Sequence, residues 1–154
     1  MSTPSERLAE LGITLPKVPA PAGSYVPARR TGNLVYTAGQ VPIVDGKPAA
    51  TGKVGDTVSA EEANGLARIC ALNALAAIDD LVGIDAVTGV IKVVGFVASA
   101  EGFTGQPGVI NGASDLLAEV FGEAGKHARS AVGVAELPLG VPVEVELIVE
   151  VAPG

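Results

Sequence analysis

The run VPVEVELIVEV at residues 141–151 constrains the fold more than any other stretch of the chain. Val141, Val143, Val145, Leu147, Val149 and Val151 alternate with Glu144, Glu146, Ile148 and Glu150. Side chains on a strand leave its two sides with a period of two, so this pattern is a strand with one face in a core and one polar face. The preceding residues 127–140, HARSAVGVAELPLG, are also strand-forming and end on a Leu-Pro turn signal. Here Arg129, Ala131, Gly133 and Ala135 share a face, opposite Ser130, Val132 and Val134. The small residues beside Arg129 leave space next to a guanidinium. A simple hairpin centred on LPLG would set Arg129 near residues 148–150, away from Glu144.

The rest of the chain alternates helical and extended signals. TPSERLAELG reads as a short helix, with Thr3 and Glu6 as a capping box and Gly12 as its stop. The prolines of ITLPKVPAPAG forbid regular structure. SYVPARRTGNLVYTAGQVP reads as a hairpin turning at TGN, and VDGKP is a second turn. Residues 59–83 carry the clearest helix, capped by Ser59 and Glu62, with Leu66, Ile69, Cys70, Ala77, Ile78 and Leu81 on one face. VIKVVGFVA is nearly all apolar and β-branched, which favours a strand covered on both faces. GVINGASDLLAEVFG is a second helix whose start is blurred by Gly112. The order β-β-α-β-α-β-β predicts an α+β fold with two helices on one face of a mixed sheet. At 154 residues, one domain over 1–154 is expected, with residues 1–20 as a helix and proline-rich lead-in.

Charge and composition narrow the function. A net charge of −7 and only three Phe, two Tyr and no Trp disfavour binding to phosphate backbones or stacked bases. The one small basic cluster, Arg29 and Arg30, reads as solvated residues beside a turn. A single cysteine and a single histidine exclude an intrachain disulfide and make a His/Cys metal site improbable. Cys70 falls on the helical core stripe and reads as packing. His127 precedes a strand beside Gly125 and Lys126, where a structural or surface role outweighs that of a general base. The N-terminus lacks a basic start followed by an apolar run, and no apolar run is long enough to span a bilayer, so a cytoplasmic protein is expected. GASDLLAEVFGEAG lacks the lysine and order of a phosphate-binding loop.

The segments GSYVPA, VYTAGQVP, FVASAEGF and HARSAVGVAELPLGVPVEVE, together with the central helix, resemble the RidA/YjgF family, also known as endoribonuclease L-PSP. The likeness runs from about residue 20 to the C-terminus. GQPGVINGASDLLAEVFGEAGKHARSAVGVA has the look of a less characterised subgroup. The resemblance implies a chorismate-mutase-like fold and a homotrimer with a central barrel, helices outside, and clefts between subunits. It implies hydrolysis of enamines and imines, of the 2-aminoacrylate or 2-iminobutyrate type, to 2-keto acids and ammonia, with no metal or organic cofactor. Carried onto this chain, Arg129 would grip the substrate carboxylate and Glu144 would position the attacking water. Tyr25 and Gly39 would line the pocket. Three positions depart from the family pattern: Ala131 replaces a frequent cysteine, Ala38 a frequent serine, and Glu101 a frequent asparagine.

The chemistry is sound apart from the likeness. A planar guanidinium can hold a carboxylate through two parallel hydrogen bonds. Such a clamp orients the electrophilic carbon, and a carboxylate within reach can place water and move protons. Two other readings use the same clefts: a non-catalytic trimer that binds small metabolites, and the ribonuclease implied by the older family name.

Overall fold

The computed structural model describes residues 2–154. These residues form α1 (Pro4–Glu10), β1 (Ala28–Thr31), β2 (Leu34–Thr37), β3 (Ile43–Val44), β4 (Lys47–Pro48), α2 (Ala60–Val82), β5 (Val87–Ala98), α3 (Gln106–Phe121), β6 (Ala128–Val134) and β7 (Val143–Val151). Local chemistry explains most of the boundaries. The Thr3 hydroxyl accepts from the Glu6 amide while the Glu6 carboxylate accepts from the Thr3 amide, so α1 has its reciprocal cap. The Ser59 hydroxyl accepts from the Glu62 amide at the start of α2. The turn between β3 and β4 is Asp45-Gly46, with φ of 52° and 79°, the left-handed pair that tight hairpins require.

The main sheet has the order β1-β2-β7-β5-β6. β5 pairs with β6 in parallel and with β7 antiparallel, so the LPLG segment does not close a hairpin. Instead, Pro138–Gly140 forms a single 3₁₀ turn that carries the chain past the end of β5. The amide of Ala98, the last residue of β5, donates to Pro142 O there. The physical reason is the apolar β5 itself. It is inserted between two strands that are neighbours in sequence, and α3 supplies the crossover that a parallel pair needs.

Helices α2 and α3 cover one face of this sheet and α1 packs beside α3. The core joins Val93 and Val97 of β5 with Val143, Val145, Leu147 and Val149 of β7. Against them lie Leu66, Cys70, Ala74 and Ile78 of α2 and Ile110, Leu116 and Leu117 of α3. α2 packs against both β7 and α3, so its buried stripe is wide, taking in Ala67, Ala71 and Leu75. It ends at Ile78: Leu81, assigned to this stripe by its spacing, is exposed. α3 runs unbroken through Gly112, where a Cβ would lie 1.9 Å from the Asn64 carbonyl oxygen of α2. The helices meet there at a distance only glycine allows.

The expectation that β5 is covered on both faces fails within one chain. Val93 and Val97 are buried under the helices, but Lys92, Val94 and Phe96 on the other face are only half-buried. That face also carries Tyr36 and Val132, each 44 % exposed. It is an open sheet face, partly apolar, with β6 and β1 as free edges.

Candidate functional site

Arg129 lies on the edge strand β6, opposite Val93 of β5, which in turn pairs with the buried Leu147. Paired residues share a face, so Arg129 stands on the helix-covered side. Its guanidinium reaches a polar stripe of α3. Nη1 donates to Asn111 Oδ1 at 2.8 Å and to Ser114 Oγ at 3.1 Å, and Nη2 donates to the Pro107 carbonyl at 3.3 Å. A guanidinium has five N–H donors. Three are engaged here, and among the described residues Nε–H and one Nη2–H have no partner. Arg129 therefore takes its partners from α3 and not from a strand glutamate.

Glu144 belongs to the opposite face. It pairs with Phe96, three residues along β5 from Val93, on the open side of the sheet. The backbone bonds between Gln40 and Val145 bring the GQ segment alongside β7. A Cβ on Gly39 would lie 2.6 Å from Glu144 Oε2, so the absence of a side chain at 39 is what seats the carboxylate. Burial raises the Glu144 carboxyl above the ordinary carboxylate range, and the neighbouring Glu146 adds to this. A carboxylate held this way is a stronger base once it is ionised.

The other positions divide between the two faces. Ala131 stands two residues from Arg129 on the helix side, half-buried against the core. Tyr25 precedes β1 in an exposed bend, where its hydroxyl accepts from the Ala22 amide. Ala38 follows β2, and its amide donates to the Pro27 carbonyl. Glu101 is exposed in the turn after β5. His127 is half-buried just before β6, bonded through Nε2 to Ser114 Oγ at 2.9 Å and through Nδ1 to the Gly125 carbonyl at 2.7 Å. Cys70 is fully buried, and desolvation, with Glu144 as a smaller contributor, pushes its thiol well up. It is packing, as its helical position suggests. Arg30 is tied to the Gly32 and Ala152 carbonyls and so fastens a turn to the C-terminal segment.

Within one chain the sheet thus separates Arg129 from Glu144. A cleft of about 310 Å³ lies elsewhere, bordered by Thr51, Lys53, Glu136 and Val141, and neither residue lines it. The partners of Arg129 on α3 escape a reading of strand motifs. Their signal in the sequence was the spacing of 107, 111 and 114, which is one stripe of a helix.

The chain matches the family model described as "YjgF/chorismate mutase-like, putative endoribonuclease" over residues 5–151. Protein TCP17 of Trypanosoma cruzi is 44% identical over 145 residues, covering 93% of this chain and 91% of that protein. The crystal structure of Atu1372 from Agrobacterium tumefaciens, of unknown function, superposes with a TM-score of 0.88 at 46% identity, covering 97% of this chain and 94% of the other. The structure of E. coli TdcF with bound serine superposes with a TM-score of 0.65 at 26% identity, covering 88% of this chain and 94% of the other. The segments that pointed to this likeness lie on β1, β2, α2, β5, β6 and β7, the frame of the sheet and its long helix. The chain belongs to the YjgF/chorismate mutase-like family and has its fold.

Proposed function

We propose that this protein hydrolyses small enamine or imine acids of the 2-aminoacrylate or 2-iminobutyrate type, in clefts between copies of the chain. The observation that carries the reading is the state of Arg129. It is held on an edge strand beside Ala131 and Gly133, with Nε–H and one Nη2–H free of partners among the described residues. Two adjacent donors on a fixed guanidinium suit a carboxylate. The bound serine of E. coli TdcF, a small carboxylate-bearing molecule, supports that ligand class.

The reaction asks little beyond orientation. An enamine such as 2-aminoacrylate first becomes the imine by gaining a proton at C3 and losing one from nitrogen; with the carboxylate held, water then adds to the C2 carbon to give a carbinolamine. Collapse of the carbinolamine forms the 2-keto acid and releases ammonia, the water oxygen staying on C2. Glu144 orients the water and takes its proton. Its half-buried seat over Gly39 makes it a better proton acceptor than a solvated glutamate.

Glu144 and Arg129 lie on opposite faces of one sheet, so the site takes Arg129 from one copy and Glu144, Gly39 and Tyr25 from the next. The free β6 edge and the open apolar face support assembly of three copies around a barrel. Ala38 and Ala131 leave few polar groups near these residues, which is the support for a non-catalytic metabolite binder as the second reading.

The test is 2-keto acid formation from freshly generated 2-aminoacrylate. Wild-type protein is expected to exceed the uncatalysed rate, and Arg129→Ala to lose roughly 10–100-fold in kcat/KM, the cost of removing charge-assisted bonds. Equal rates for the two proteins remove Arg129 from the mechanism. No acceleration, with pyruvate still bound in an Arg129-dependent way, gives the binder instead. RNA cleavage that survives purification and depends on Arg129 gives the ribonuclease.

A further inference from the structure

We propose that Ser114 and His127 are positioning residues for Arg129: a hydrogen-bonded relay from His127 through Ser114 sets which edge of the guanidinium faces the ligand. This rests on the reading of Arg129 as the carboxylate clamp.

With a neutral His127 ring, chemistry gives each bond in the relay its direction. The Gly125 carbonyl can only accept, so His127 Nδ1 carries the proton in that 2.7 Å bond. In the neutral ring Nε2 is then an acceptor, and the Ser114 hydroxyl donates to it at 2.9 Å. That turns the Ser114 oxygen lone pairs toward Arg129, whose Nη1 donates at 3.1 Å. A guanidinium cannot accept, so for the neutral ring this assignment satisfies all three bonds. The second Nη1 hydrogen goes to Asn111 Oδ1.

The consequence for binding is specific. With both Nη1 hydrogens occupied and one Nη2 hydrogen on the Pro107 carbonyl, the end of the fork is closed. A carboxylate can use only Nε–H and the remaining Nη2–H, so it meets the arginine from one side.

All the relay residues lie within the segment 105–135 whose sequence has the look of a subgroup. Pro107, Asn111 and Ser114 form one stripe of α3, and His127 and Arg129 stand two residues apart at the start of β6. Gly125 lets the chain fold tightly enough to close the relay: a Cβ there would lie 2.3 Å from the Leu117 carbonyl oxygen. The turn therefore packs directly on α3 and aims its carbonyl at the histidine ring.

The experiment measures steady-state kinetics on 2-aminoacrylate, and binding of pyruvate as an inert planar 2-keto acid, for intact variants. Ser114→Ala and His127→Ala are expected to raise KM and the pyruvate Kd roughly 3–10-fold, the value of one mispositioned bond, with kcat within about twofold. Ser114→Thr, which keeps the hydroxyl, and His127→Gln, which keeps an acceptor, are expected to restore most of the loss. In an Arg129→Ala background Ser114→Ala should add nothing, because its effect passes through the guanidinium. If an alanine variant fails to fold, the pair Ser114→Cys and His127→Gln, near in size to the native residues, supplies the same readout. Unchanged KM and Kd in Ser114→Ala and His127→Ala, with Arg129→Ala impaired, overturn the relay and leave the clamp standing. A fully active Arg129→Ala removes the clamp and the relay together.

Discussion

At the scale of single residues, the proposed site is one guanidinium and one carboxylate, each held by an unusual local arrangement. Arg129 is immobilised by three acceptors from α3, so little side-chain entropy remains to be lost on binding an anion. Glu144 is kept in a half-buried seat against Gly39, where burial and Glu146 raise its carboxyl. The sign of the pH effect follows. The water-placing group must be ionised, so activity falls as pH drops through a raised value, above the ordinary 4.5. The acid limb of the kcat/KM profile is therefore expected above pH 4.5, and Glu144→Gln should both slow the reaction roughly 10²-fold or more and abolish that limb. A pH–rate profile that keeps the same acid limb in Glu144→Gln assigns the base elsewhere.

At the scale of elements, α3 positions the proposed clamp, because it supplies all three hydrogen-bond acceptors of the Arg129 side chain, and α3 is itself packed on α2. The helices approach closely at Gly112, where a Cβ would meet the Asn64 carbonyl at 1.9 Å. In an exposed helix a Gly→Ala change stabilises by up to about 1 kcal/mol. Here the sign reverses. Gly112→Ala is expected to cost roughly 1–3 kcal/mol by forcing α3 away from α2, read as a lower midpoint in urea with an unchanged slope. A midpoint at or above wild type would mean the two helices separate without strain. The same element explains why β5 and β6 are parallel: α3 is the crossover between them, and it lies over the face that Arg129 shares.

At the scale of the whole molecule, one chain carries half of the proposed site on each side of its sheet. The helix face holds Arg129, and the open face holds Glu144 beside Phe96, with Tyr36 and Val132 elsewhere on the same face. A partly apolar sheet face bounded by a free edge strand is a surface that soluble proteins normally cover. Val132 lies on that edge, 44 % exposed and outside the core. Val132→Lys is expected to shift the sedimentation coefficient from an oligomer to a single chain, to abolish 2-aminoacrylate turnover, and to leave the far-UV circular dichroism unchanged. An unaltered sedimentation coefficient would place the subunit contacts elsewhere.

The sequence alone was sufficient for the order of elements, the two covering helices, the Thr3–Glu6 capping box, Ser59 as the N-cap of α2, and the faces of β6 and β7, because each depends on spacing within one segment: period two, period 3.6, or a cap three residues from its partner. It also marked Arg129 and Glu144, through motif likeness and not through geometry. It misjudged what depends on distant pairing. The LPLG turn has the local chemistry of a hairpin, yet β5, remote in sequence, enters between the two strands. The burial of Leu81 and the second face of β5 were over-read for the same reason, since apolar composition does not say which neighbour is present. Only tertiary structure set Arg129 and Glu144 on opposite faces and linked Arg129 to Ser114 and His127. Those relations join residues of α3, β6 and β7 through packing, and packing leaves no period in the chain.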